Sequence, residues 1–366
     1  MFRNLRYARS LPPSYLFNKN LKQSFSSQFN KYLPNCNNYI FLSTGRCAIK
    51  LAIRTMRLTI KDEILLPSYL DAEGVLHPVK EENISYRFYK VKRDLSADIA
   101  DIRKKISDNT KALLIIHYFG FPQPIERILE ICEAENIFLI EDCAHAFLSK
   151  YNGKLLGSFG DFSIFTYRKT LPIPDGASLI INNPHFTPPK ISKKFDLIRS
   201  LYSILETISL IVGNYSDSRL INYLNRLLAY FSRELINIYS KPTSPSYISQ
   251  VLISRFNLDK IISIRRDNFR YLLENVNLEG AYPLYTELPE GVCPLWFPMI
   301  TKNRDILRKK LIKRGIPSPI FWRLPKEIDE VEFRDSWEVS AQILSIPLGT
   351  IHKVDMSYIV KILKEG

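Results

Sequence analysis

FLIEDCAHAF, residues 138–147, opens on three apolar residues and then sets Glu141 and Asp142 where the run ends. A strand driven into the interior with a carboxylate at its tip has two readings. Asp ends strands and begins helices, so a cap or a turn is one of them. A ligand site at the carboxyl end of a sheet strand is the other.

The flanking sequence bears on the choice. YIFLS (39–43), EILLP (63–67), SYRFYKV (85–91), KALLIIHYF (111–119), IFLIED (137–142), FSIFTY (162–167) and SLIIN (178–182) read as strands. GRCAIKLAIRTM (45–56), with Ala48, Leu51, Ala52 and Ile53 inward, and PIERILEICEAEN (124–136) have helical spacing. Strands that are apolar throughout, alternating with helices, predict an α/β fold: a mainly parallel central sheet with helices on both faces. Beyond residue 184 the character changes. Residues 190–240 read as two or three helices rich in Leu, Ile and Tyr, and SYISQVLISRFNLDKIISIRRDNFRYLLENV (246–276) as one long amphipathic helix. From residue 295, LWFPMI, RDILRKKLIKRG, IPSPIFW and VDMSYIVKILKE alternate strand and helix in a small C-terminal α+β unit. The expected division is a large domain over 1–245, with a helical insert at about 190–240, and a long helix plus small domain over 246–366.

The 366 residues are 46% hydrophobic and 24% charged, an ordinary globular balance, with a formal net charge of +14. A basic surface suits anionic partners, and no nucleic-acid signature accompanies it. A phosphorylated ligand or a membrane surface is therefore the better expectation. Cys36, Cys47, Cys132, Cys143 and Cys293 are scattered, without a CxxC pair, which fits a reducing compartment and no metal site. The start, MFRNLRYARSLPPSY, lacks the apolar core of a signal peptide, and SLYSILETISLIVG (200–213) is too short to span a bilayer. The expected location is cytoplasmic, with at most peripheral membrane contact.

Three strand ends carry chemistry. In STGRCAI (43–49) a strand passes through a glycine turn into a helix, whose N-terminal amides suit a phosphate; such turns also arise for conformational reasons alone. Asp142 and His145 lie just past the next strand end, where a carboxylate can hold a proton on a heteroaromatic nitrogen and the imidazole can bond a neighbouring oxygen. His145 as a core histidine satisfied by backbone is the bland alternative. Lys169 follows FSIFTY immediately, and an ammonium is rarely buried unpaired. Schiff-base formation with a carbonyl is one reason to place it there; a surface lysine beside Arg168 is the other. Phosphate site, aspartate and lysine in that order describe a pyridoxal 5'-phosphate enzyme.

STGRCAIKLAI, ILLPSYLDAEGVLHPV, IEDCAHAF followed by GKLLGSFGDFSIFTYRKTLPIPDGASLIIN, and SIPLGTIHKVDMSYIVKIL together resemble the DegT/StrS-type sugar aminotransferases, a branch of the fold-type I pyridoxal phosphate enzymes. The resemblance runs from about residue 34 to 366, with a divergent stretch at 185–245. It implies that Lys169 is the catalytic Schiff-base lysine and proton shuttle, and that Asp142 pairs with the pyridine nitrogen. It sets His145 near the 3-hydroxyl and Thr166, Gly45, Arg46 and Cys47 around the phosphate. Tyr69 is the candidate to stack on the ring, although the family's aromatic falls two places later, where this chain has Asp71. The family's Gly-Glu-Gly-Gly after the lysine is here PDGA (174–177), and its partner-subunit Asn and Arg are absent from KPTSPSYISQ (241–250). PIFWRLP (319–325) replaces its His-containing substrate loop, which makes Trp322 and Arg323 candidate substrate contacts.

The resemblance implies transfer of an amino group, with glutamate as donor, onto a nucleotide-linked keto-sugar in surface polysaccharide or related biosynthesis, by a homodimer. Two alternatives stand beside it: a family member acting on a different carbonyl substrate, and a non-catalytic binding or assembly subunit. Basic residues Arg199, Arg219, Arg226 and Arg233 of the insert are candidates to replace the missing partner contacts.

Overall fold

A computed structural model describes residues 11, 27–35, 37–191, 197–212, 242–349 and 355–365, with backbone alone at 27, 28, 197–200 and 212. Cys36, most of the insert with Arg219, Arg226 and Arg233, and the side chain of Arg199 lie outside the described residues.

A short helix, α1 (Ser27–Asn30), precedes β1 (Tyr39–Leu42) and α2 (Gly45–Met56). Then come β2 (Glu63–Pro67), a π-turn (Ala72–Leu76), α3 (His77–Glu81), β3 (Ser85–Tyr89) and α4 (Ile99–Lys105). β4 (Thr110–Ile116), α5 (Ile125–Ala134) and β5 (Phe138–Asp142) follow. A hairpin of β6 (Lys150–Tyr151) and β7 (Lys154–Leu155) leads to β8 (Phe162–Thr166), α6 (Tyr167–Thr170) and β9 (Ala177–Ile181).

Seven of these strands form one sheet in the order β1-β9-β8-β5-β4-β2-β3. The inner pairs are parallel, and β9 alone runs against its neighbours β1 and β8. Each of β2, β8 and β9 is buried at every position, as strands covered on two faces must be. Successive residues of one strand feed two separate cores: Ile164 and Leu179 belong to one, Phe165 and Ile180 to the other. The register carries the strand ends to one edge. Leu42, Ala177 and Thr166 form a row across β1, β9 and β8, and Asp142 of β5 pairs with Ile164 of β8 and Ile116 of β4.

After α7 (Leu197–Val212), the stretch that reads as one long helix is two: α8 (Tyr247–Ile253) and α9 (Leu258–Asn275). The side chain of Asn257 accepts from Lys260 N and starts a new helix, while Phe256 turns into the core at 2% exposure. Local hydrogen bonding overrides the continuous amphipathic pattern here. A three-stranded antiparallel sheet, β10 (Ala281–Pro283), β11 (Trp296–Thr301) and β12 (Ile343–Pro347), packs with α10 (Arg304–Lys313), α11 (Arg334–Gln342) and α12 (Met356–Lys364). IPSPIFW is not one of its strands. Pro317 and Pro319 lack the N–H a ladder needs, and the segment is tied instead by Ser318 Oγ donating to Ser345 O at 2.8 Å. Among the described residues no helix is long and apolar enough to cross a membrane.

Candidate active site

The first part of the site is the turn from β1 into α2. Thr44 caps the helix with extended backbone, its Oγ1 accepting from Cys47 N at 3.3 Å. First-turn amides find no acceptor inside their own helix, so this end carries positive polarity. Gly45 is required by close approach: a Cβ there would stand 2.6 Å from Thr166 Oγ1. The Thr166 hydroxyl therefore lies against the helix end, which joins two of the phosphate candidates. Arg46 follows in the same first turn, its guanidinium 3.9 Å from Glu73. Cys47 is buried, and its amide is used by the Thr44 cap.

The second part is the end of β5. Asp142 is buried; its Oδ1 accepts from Ala144 N at 2.8 Å and its carbonyl from His117 N at 3.1 Å. Burial pushes the carboxyl up from its ordinary range, against the pull of the Lys169 charge and the Ala144 amide. Lys169 is half-buried on α6, and burial lowers its ammonium while Asp142 and Asp71 hold it up. The two groups thus work on each other across the gap between β5 and β8, as their shared sheet edge requires.

α6 is a single turn and is held from below. Tyr167 is fully buried among Phe29, Phe41 and Phe147, with centroids 4.9, 5.9 and 4.8 Å away, and its hydroxyl bonds Ser178 Oγ. Burying such a ring contributes roughly 1.5–3 kcal/mol. From the other side Arg265 of α9, itself buried, donates through Nη2 to Thr170 O at 3.0 Å and through Nε to Gly349 O at 3.2 Å. The PDGA loop is likewise anchored. Asp175 accepts from Ser246 N and Ser249 Oγ, Tyr202 donates to Pro174 O at 2.7 Å, and Gly176 adopts φ +129°, open to glycine alone.

His145 is buried, with Nδ1 accepting from Phe119 N at 3.5 Å and Nε2 without a hydrogen-bond partner. Burial and the Lys169 charge push its imidazole well below the ordinary histidine range, so the ring is neutral and its proton sits on Nε2. Its flat neighbour is Trp322, with centroids 5.0 Å apart at 28°. Tyr69 is buried to 0% exposure and donates its hydroxyl to the Phe321 carbonyl, so its ring walls the site rather than opening onto it. Trp322 is half-buried, and Arg323 is exposed beside it.

Sequence reasoning passed over Glu141 and His117. Glu141 is fully buried and points to the face opposite Asp142. It accepts from His117 Nε2 at 2.9 Å, Gly157 N at 2.9 Å, Phe159 N at 2.7 Å and Gly160 N at 2.6 Å. Gln123 N donates to His117 Nδ1 at 3.1 Å, which fixes the imidazole proton on the Glu141 side. Cys143 completes a group of three ligand-type atoms within 4.8 Å. Four N–H donors occupy the carboxylate's lone pairs, and burial pushes the Cys143 thiol well up, so the cluster is a hydrogen-bonded brace. The signal was legible: a charge inside an apolar strand must have a partner.

A sequence model of the DegT/DnrJ/EryC1/StrS aminotransferase family matches residues 7–188, about half of the chain. The GDP-perosamine synthase of Escherichia coli O157:H7 is 33% identical over 145 residues, which span 39% of this chain and 40% of that protein. The GDP-perosamine synthase of Vibrio cholerae is 24% identical over 314 residues, 81% of this chain and 84% of its own. A putative sugar aminotransferase of Streptococcus pneumoniae, solved in its PLP form, superimposes with a TM-score of 0.67 at 14% identity, covering 98% of this chain and 92% of that one. The likeness in fold extends over nearly the whole chain, and the chain belongs to the DegT/DnrJ/EryC1/StrS aminotransferase family.

Proposed function

We propose that this chain is a pyridoxal phosphate-dependent aminotransferase that converts a nucleotide-linked keto-sugar to an amino sugar, with glutamate as donor, in glycan biosynthesis. One observation carries the reading. Asp142, Lys169 and a neutral imidazole with an orphaned, buried Nε2–H converge at the sheet edge where Thr166 meets the α2 N-terminus. An orphaned donor costs about 1–3 kcal/mol and calls for an acceptor. A phenolic oxygen fits His145 Nε2, a protonated ring nitrogen fits Asp142, and a phosphate fits the space bounded by Gly45 and Thr166.

The cofactor supplies an electron sink for the carbon from which a proton is removed. Lys169 is the nucleophile toward carbonyls, and its lowered ammonium favours the neutral amine that this role needs. Asp142 keeps a facing nitrogen protonated. His145 orients by donating from Nε2. The Trp322 ring, packed against Tyr69 and Tyr118, stands beside the amine, whose Nζ lies 5.7 Å from its centroid. A scaffold that had lost its chemistry leaves the orphaned imidazole unexplained.

The nucleotide-linked substrate rests on the GDP-perosamine synthases and on the net charge of +14. Four described cysteines, Cys47, Cys132, Cys143 and Cys293, are buried thiols, which supports a cytoplasmic setting. We assign a homodimer and divide the chain into a large domain (1–245) and a C-terminal part (246–366). On α7, Leu201, Ile204 and Ile208 are exposed along one face, a surface suited to the second subunit. The test is borohydride reduction after incubation with pyridoxal phosphate, followed by peptide mapping. Label at Lys169 and loss of the visible absorption band on adding glutamate are expected. Label elsewhere, or none, overturns the assignment.

A further inference from the structure

The end of β2 brings no open ring to the lysine: Tyr69 is sealed in with its hydroxyl spent on Phe321, and position 71 is a carboxylate. The ring that meets the lysine comes from the C-terminal part. We propose that Trp322 is the aromatic plate of the cofactor pocket, packing on the pyridine ring that Asp142 and His145 hold; this rests on the pyridoxal phosphate reading above. Four observations carry it. Trp322 lies near-parallel to His145, 5.0 Å away at 28°. Among the described residues it is the one ring with Lys169 Nζ over it, 5.7 Å from the centroid. Its backbone is tied on both sides, by Tyr69 to the Phe321 carbonyl and by Ser340 Oγ to the Trp322 carbonyl at 2.6 Å. It is half-buried, whereas Tyr69 and Tyr118 beside it are fully buried.

The consequence is a division of labour: the large sheet holds the polar groups of the cofactor, and the C-terminal part supplies the flat apolar surface. Cofactor loading is then read by this residue's own emission, since an indole stacked on an absorbing ring is quenched. The chain has three tryptophans, and Trp337 is committed elsewhere, donating to Ile328 O at 3.1 Å.

The experiment titrates pyridoxal phosphate into wild type, W322F, W322A and W337F, following tryptophan emission and cofactor affinity. W322F should lose the larger part of the quench and hold affinity within about twofold, since phenylalanine retains a ring. W322A should bind about tenfold more weakly, the upper worth of an aromatic pair. W337F should quench as wild type does. Wild-type quenching in W322F, or wild-type affinity in W322A, overturns the proposal. If W322A fails to fold, the emission of W322F still decides it. Wild type that takes up no cofactor at Lys169 overturns the functional reading itself, a result distinct from uptake that ignores Trp322.

Discussion

Replacing Gly45 by alanine separates the site from the fold. The new Cβ would meet Thr166 Oγ1 at 2.6 Å, with Ile164 Cγ2 at 3.8 Å and Thr166 Cβ at 4.0 Å. The latter two are ordinary contacts, so the hydroxyl alone must move, by turning about χ1. That rotation costs about 0.5–1.5 kcal/mol, offset by up to about 1 kcal/mol from replacing glycine in a helix. The net change in fold stability is therefore at most about 1.5 kcal/mol. The displaced hydroxyl, however, loses a hydrogen bond to a charged phosphate, worth about 1.5–3 kcal/mol, or roughly 10- to 150-fold in affinity. Gly45→Ala should thus bind pyridoxal phosphate at least about tenfold more weakly, by titration of the visible band, with a melting temperature within a few degrees of wild type. In a Thr166→Ala background the same change should cost nothing further, because the clashing atom is gone. Affinity within twofold of wild type, or full additivity of the two changes, would refute the phosphate assignment.

Asp142→Asn should cut turnover by orders of magnitude. Its folded-state carboxyl is raised, so its stabilising contribution is present below the unfolded pKa and lost as pH rises through the folded one. Removing the charge should therefore not lower the melting temperature at neutral pH; near-normal activity would return Asp142 to the role of a turn residue. Lys169 titrates below its ordinary value, so its borohydride-fixed labelling should rise with pH through a midpoint under 10.5. Asp142→Asn should move that midpoint lower, because the carboxylate favours the ammonium, and an upward movement contradicts the pairing. Glu141→Gln replaces one carboxylate oxygen with an NH2 facing N–H donors and should cost about 1.5–3 kcal/mol in urea unfolding; a loss below about 0.5 kcal/mol would show that the brace does not stabilise the fold.

Apolar runs alone dictate the sheet. LLII and FSIF cannot be exposed on either face, so helices must cover both, and strand ends then become the places where polar groups gather. Asp142 and Lys169 were legible because each breaks such a run with a charge at its carboxyl end. Glu141 breaks one too, yet its partners His117, Gly157 and Gly160 are known only once β4 and the loop before β8 lie beside β5. The helix break at Asn257 depends on a side-chain bond that periodicity does not register, and the prolines of IPSPIFW outweigh its apolar pattern. What no local pattern carries is the meeting of distant segments. Trp322 lies over His145 and Lys169, and Arg265 reaches Thr170, because packing between the C-terminal part and the sheet edge puts them there. Local sequence specifies which residues are apolar, capped or charged; the path of the chain through space decides which of them share a pocket.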